Sequence, residues 1–426
     1  MDFGNAYRLY GFYQNELRQN MLGFWLPRCE DKVHGGFVNC FDNRGKNLVS
    51  YDKYTWSQGR FVWLFARLAA TPAPMFSDAE RKEFLRLAKN GADFLMKYCL
   101  MGKDDWRCVF LMERDGTPKE VSPGAPLDMS IYADCFAVLG LGMYAYTSGD
   151  RAAYDFAKKL YQSVVSRVET GKFNTLPYPL SACYRAHGIP MILDNTAREL
   201  YRAAEKLDPA FAVVLKADML RFASDVLEHF VDEDDCMHEV IRSDNTMFPQ
   251  ILGQHMNPGH TIEDVWFLLD AAEICEKPEW KKKIFTIAKR ALESGWDQQY
   301  GGILHFSGLM GGEPVGDLSG VEEETMTKQL SGWGDKLWWI HSEALYSTLR
   351  CYFEGGDSGF VDWHEKVFDY TYRTFPNPDP NVREWIQIRC RDGQPQEKVV
   401  ALPVKDPFHI CRNLILIIEL LAEQVN

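Results

Sequence analysis

Apolar residues in this chain recur mostly three and four positions apart, the spacing of helices, in two distinct kinds of segment. One kind carries a charged face and covers residues 7–22, 77–98, 150–168, 209–231, 278–294 and 361–374. These read as helices with one side in water. The other kind is apolar nearly all round, rich in small or aromatic residues, and starts near Lys53, Asp128, Ile189, His260, Trp333 and Phe408. Helices of that composition are buried on all sides. Their starts lie 75, 61, 71, 73 and 75 residues apart, a periodicity of pattern without repeated sequence.

Short alternating runs broken by turn residues separate the two kinds: "GGFVNCFDNRGKNL", "WRCVFLMERDGTPKEV", "CMHEVIRSDNTMF", "GGILHFSGLMGGEPV" and "EWIQIRCRDGQPQEKVV". Each reads as a β-hairpin. Six repeats of outer helix, hairpin and inner helix predict an all-α fold, an (α/α)6 barrel with short β-hairpins at its mouth. No Pro/Ser-rich linker divides the chain, so residues 1–426 are expected to form a single catalytic domain. In such a ring the inner helices all start at one end, and a pocket belongs there.

Composition narrows the partners. The net charge is −13, from 47 basic and 60 acidic residues with no dense Lys/Arg cluster, which argues against a nucleic-acid groove. No apolar run approaches the roughly 18 residues of a membrane span, and the first 21 residues lack a signal-peptide pattern. A cytoplasmic protein is expected. The eleven cysteines never form C-x-x-C, so reduced thiols are expected rather than a disulfide framework or a structural zinc site.

The polar residues in the first turns of the inner helices are the candidates for chemistry. "KYTWSQGRFVWLFARL" carries Trp56, Gln58 and Arg60. The second inner helix offers Tyr132 and Asp134, and the third is apolar at its start. "QHMNPGHTIED" places His260 and Glu263 on one helix face, three residues apart. "WGDKLWWIHSEALYS" supplies Trp338, Trp339, His341 and Glu343. "DPFHICRNLILIIELL" has Asp406 as a cap, Pro407 at the first helical position, and then Phe408 and His409. Each histidine alone could be a cap or a satisfied core residue, and Arg60 could be a structural ion-pair partner, for Glu263 for example. Two histidines at one barrel mouth favour proton transfer. His260 and Glu263 form H-x-x-E without the second helical histidine of H-E-x-x-H, so no metal is expected. His34, His187, His229, His238, His305 and His364 read as surface or packing residues, and His255 as ambiguous.

The segments "HGGFVNCFDNRGK", "KYTWSQGRFVW", "GQHMNPGHTIEDVWFLL", "SGWDQQYGGILHF", "KLWWIHSEAL" and "KDPFHICRNL" resemble, in order and across nearly the whole chain, those of the N-acylglucosamine 2-epimerase (renin-binding protein) family. The resemblance implies an (α/α)6 barrel and epimerisation of a free sugar at C2. It places the catalytic histidines on His260 and His409, the active-site arginine on Arg60, and the first histidine's glutamate on Glu263. Relatives include cellobiose 2-epimerases and mannose-type aldose–ketose isomerases, which carry a further histidine in the third inner helix. This chain reads "GIPMILDN" there, closer to the acyl-sugar epimerases, and Met191 joins the expected sugar contacts. Those contacts are Trp56, Gln58, Met191, Trp338, Trp339, His341, Glu343 and Phe408. The chemistry needs no cofactor, although the resemblance implies a nucleotide (ATP) activator with no residue assigned to it. Large aromatic-rich helical barrels commonly pair, so a homodimer is expected.

The leading expectation is a two-base interconversion of N-acetylglucosamine and N-acetylmannosamine. The alternatives are a mannose/fructose-type isomerase or plain-hexose 2-epimerase, a hydrolase using Asp134, Glu263 or Glu343 as an acid pair, and a non-catalytic binding protein.

Overall fold

The computed structural model describes residues 3–425; residues 1, 2 and 426 of the expected single domain lie outside them. Among the described residues, six inner helices run over Thr55–Ala70, Ile131–Ser148, Gly188–Leu207, Pro258–Ile274, Trp338–Gly355 and Phe408–Val425. Outer helices alternate with them: Phe3–Asn15, continued by a π-helical stretch over Glu16–Leu22, then Asp78–Tyr98, Arg151–Glu169, Pro209–Asp225, Trp280–Gly295 and Gly359–Thr374. The last inner helix packs on the first outer and first inner helices, which closes the (α/α)6 barrel.

Local chemistry explains these elements. Ser77 and Glu80 form a reciprocal capping box, and the Asp150 and Asp208 side chains cap the two outer helices that follow. The first two inner helices cross in backbone contact: a methyl group on Gly59 would lie 2.1 Å from the carbonyl oxygen of Phe136. Only glycine permits that approach. The fifth inner helix starts five residues later than expected, because 330–332 form a 3-10 turn and Lys336–Leu337 a strand.

The connections at the mouth follow the expected hairpins only in part. Leu111–Met112 does pair with Pro118–Lys119 across a tight turn. Leu100–Gly102 with Asp105–Cys108 is a second local hairpin, and single bridges close the turns at Phe41/Leu48 and Arg389/Pro395. Four further pairings join one connection to the next, all antiparallel: Lys53–Tyr54 with Leu111–Met112, Tyr184–Ala186 with Val240–Arg242, His255–Met256 with Ser307–Gly308, and Lys336–Leu337 with Ile388–Arg389. Strands of two or three residues make few ladder bonds, so most strands of these four pairs are not held by a local turn. They pair instead with whatever the ring brings alongside, and so staple neighbouring inner helices at the mouth.

Buried ion pairs add to these staples. Lys53 bonds Asp31 at 3.0 Å, Lys336 bonds Asp297 at 2.9 Å and Lys405 bonds Glu384 at 2.6 Å. Each lysine stands two or three residues ahead of an inner helix and meets a carboxylate of a connection at the same end. All eleven cysteines are free thiols, nine of them buried. No helix among the described residues is long and apolar enough to cross a membrane.

Candidate active site

A cavity of about 790 Å³ opens at the end where the inner helices begin, within the size range of small-molecule sites. Trp56, Arg60, Met191, His260, Glu263, Trp338, Trp339 and His409 all line it, drawn from five of the six inner helices. The Trp339 indole lies 5.5 Å from the ring centre of each of the two imidazoles.

The fourth inner helix starts with Pro258 in its first turn, and the Asn257 side chain accepts from the His260 backbone N–H at 3.2 Å. This cap aims the His260 ring into the mouth, where about a third of its surface stays exposed. Its Nδ1–H donates to Glu239 Oε1 at 2.8 Å, which leaves Nε2 for a ligand. Glu239 is fully buried. Burial opposes its ionisation, but His260 and His187 more than compensate and hold it well below the usual carboxylate range.

His409 is anchored in the same way. Its Nδ1–H donates to Glu343 Oε1 at 2.6 Å, and Arg60 Nη2 reaches its Nε2 at 3.3 Å. Arg412, one helical turn on, bonds Glu343 at 2.5 Å and also bonds Glu263. Burial opposes ionisation of Glu343, but the Arg412 charge and the His409 hydrogen bond hold its pKa down to about 2. Arg60 bonds the Asp406 carboxylate and lies over the Phe136 ring, 4.1 Å from its centre. Asp406 also caps the last inner helix, accepting from Phe408 N–H at 2.8 Å.

Several expected contacts are corrected. Glu263 does not orient His260. It turns to Arg412 and lies 3.6 Å from His409 Nδ1, while Glu239 takes the His260 nitrogen. Arg60 is paired with Asp406 rather than Glu263. Gln58 faces away from the cavity, exchanging two 2.8 Å hydrogen bonds with the backbone of Phe37. His341 is fully buried between Ile303 N–H, at 2.9 Å, and Leu337 C=O, at 2.8 Å. Burial pushes its pKa down to about 3, so it is neutral. Glu343 lies behind His409, and Phe408 forms an aromatic shelf under Arg60 and Arg412, with guanidinium carbons 5.0 and 4.7 Å from its ring centre.

Other residues were passed over. Glu239 sits in a predicted hairpin, where nothing marks it as facing a base. His305, read as surface or packing, lines the cavity, and burial holds its pKa down to about 3. His187 is fully buried beside His260, with ring centres 6.4 Å apart. Its position one residue ahead of "GIPMILDN" was the available signal. Among the described residues, possible ligand atoms converge within 4.8 Å in two groups, His187–Glu239–His260 and Glu263–Glu343–His409. In the second, the Arg412 guanidinium already bonds both carboxylates; in the first, His187 Nε2 and His260 Nδ1 are each bonded to a carboxylate.

Two imidazoles with anchored Nδ1 atoms, a guanidinium and an indole around one helical-barrel cavity equip the site for proton transfer on a polar carbon acid. This is a carbohydrate epimerase or isomerase. The family model described as N-acylglucosamine 2-epimerase (GlcNAc 2-epimerase) matches residues 35–412, and the chain belongs to that family. The N-acylglucosamine 2-epimerase of Bos taurus is 30% identical over 408 residues, covering 94% of this chain and 88% of that protein. Among solved structures, cellobiose 2-epimerase from Bacillus thermoamylovorans superposes with a TM-score of 0.77 at 19% identity, covering 97% and 99% of the two chains. A D-mannose isomerase follows at 0.72 and 15%, covering 96% and 97%.

Proposed function

We propose that this enzyme interconverts N-acetylglucosamine and N-acetylmannosamine by deprotonation and reprotonation at C2 of the open-chain sugar. The observation that carries this is the pair His260 and His409, each fixed through Nδ1 to a buried carboxylate and each 5.5 Å from the Trp339 ring in one cavity. Once the ring opens, the C1 carbonyl accepts the charge left at C2, giving an enediolate. One histidine removes the proton and the other returns one from the opposite face, which inverts C2. A single base tends to restore the starting configuration.

Both Nδ1 anchors favour the tautomer with a lone pair on Nε2, the form a base requires. Arg60 beside His409 Nε2 supplies fixed positive charge for the oxygen developing at C1. Trp56, Trp338 and Trp339 present apolar faces for the sugar and exclude water. Choice of the N-acylated sugar is supported by the 30% identical bovine relative and by the resemblance of "GIPMILDN", whose Met191 is among the residues lining the cavity, to the acyl-sugar epimerases.

The test is NMR of products from N-acetylmannosamine and from mannose in D₂O. N-acetylglucosamine carrying deuterium at C2 is the expected product. A ketose from mannose, with N-acetylmannosamine untouched, overturns the reading in favour of an aldose–ketose isomerase. Adding ATP to the same assay tests the nucleotide activator.

A further inference from the structure

The two halves of the site share one construction with a single difference. Each base leans through Nδ1 on a buried carboxylate, and each carboxylate faces a buried cation. Behind His409 that cation is Arg412, charged at every working pH. Behind His260 it is an imidazole. His187 Nε2–H donates to Asp264 Oδ2 at 2.8 Å, and its Nδ1 faces Glu239 Oε2 at 3.9 Å, while Glu239 Oε1 holds His260.

The backbone fixes this row. His187 N–H donates to Glu239 C=O at 2.9 Å, continuing the pairing of Tyr184–Ala186 with Val240–Arg242. Asp264 stands one helical turn beyond His260. Asp264, His187 and Glu239 are all at most 3% exposed.

We infer that His187 is the positioning residue of the His260 half-site: set between Asp264 and Glu239, it carries the charge that keeps Glu239 ionised and aimed at His260 Nδ1. The inference rests on His260 serving as a base. Burial opposes a charge on His187, yet the two carboxylates raise its pKa to about 9. The other groups near the row do not supply that charge. Burial pushes the pKa values of His255 and His305 down, the latter to about 3, so both are neutral, while burial and Asp264 push the Asp194 carboxyl up and burial pushes the Tyr132 hydroxyl up. Arg185 lies behind the Phe230 ring and bonds Asp225.

Histidine-ring ¹⁵N NMR of the full-length protein tests this without substrate, with His187→Gln, Asp264→Asn, His260→Asn and His409→Asn for assignment. One ring is expected to stay doubly protonated at pH 8 in the native protein, and to be lost in His187→Gln. In Asp264→Asn it should lose a proton below pH 8, which covers the case of a His187→Gln protein that does not fold. The His260 ring should leave its single Nδ1–H tautomer in His187→Gln while the His409 ring is unchanged.

In kinetics, His187→Gln should lower kcat at least ten-fold with KM within two-fold, and should add nothing in a Glu239→Gln background. The inference is overturned if no ring stays doubly protonated at pH 8, or if the His187→Gln and Glu239→Gln losses multiply. Failure of the epimerase reading is separate: it shows as absent product from N-acetylmannosamine with the ring signals intact.

Discussion

Glu343→Gln tests most directly how the site prepares its bases. The carboxylate accepts from His409 Nδ1 at 2.6 Å and from Arg412 at 2.5 Å, and it is ionised at any working pH. An amide of the same shape presents either an oxygen or an N–H to Nδ1. Arg412 and His409 Nδ1 share Oε1, and the Trp266 indole N–H donates to Oε2 at 3.0 Å, so an amide oxygen kept at Oε1 leaves its NH₂ against the Trp266 donor. In either orientation the amide carries no charge, so the imidazolium formed when His409 takes the C2 proton loses its buried counter-ion. Loss of one preorganised electrostatic partner costs ~10²–10³-fold in rate, or about 3–4 kcal/mol at 1.36 kcal/mol per factor of ten. The assay is C2 deuterium incorporation from D₂O into N-acetylmannosamine, followed by NMR, with a thermal melt on the same sample. Arg412 keeps its bond to Glu263, so the variant should fold. Retention of more than a tenth of native kcat/KM in a folded Glu343→Gln protein refutes the counter-charge argument.

Gln58→Leu should destabilise the protein by about 2–4 kcal/mol, because it strands both backbone groups of Phe37, and should leave KM unchanged; melts and kinetics together check this. Lys336→Met leaves Asp297 buried with only the half-exposed Arg391 for charge, and a loss of about 3–5 kcal/mol is expected in denaturant titration. Stability should also fall with rising pH on account of His187. Its folded pKa of about 9 exceeds the unfolded value of 6.5, so its contribution is complete below pH 6.5 and is lost as pH rises through 9. Thermal melts from pH 6 to pH 9.5 should show a smaller decline in His187→Gln than in the native protein.

The helical architecture and the address of the site were legible in the chain itself. Two classes of helix, amphipathic and apolar all round, encode solvent and core directly through side-chain periodicity, and their alternation leaves a closed ring as the arrangement that buries the inner set. "NPGH" and "DPFH" then place His260 and His409 in first turns, and first turns meet at one mouth. Arg60, Trp56 and Trp339 follow by the same reasoning.

Tertiary structure alone decided which groups those residues face. Three-residue spacing puts His260 and Glu263 on one helix face but does not say what that face meets. The turn of the helix gives the imidazole to Glu239, twenty-one residues earlier, and the carboxylate to Arg412 on another helix. Gln58 and His341 lie in or near first turns as Arg60 does, yet they point outward, because rotation about a helix axis that is apolar on every side leaves no mark in the pattern. The mouth strands, two or three residues long, could not declare partners that only ring closure brings alongside. His187 shows the same limit: a histidine one residue ahead of an apolar helix becomes the counter-charge of a half-site only when Asp264 and Glu239 close on it from two other segments.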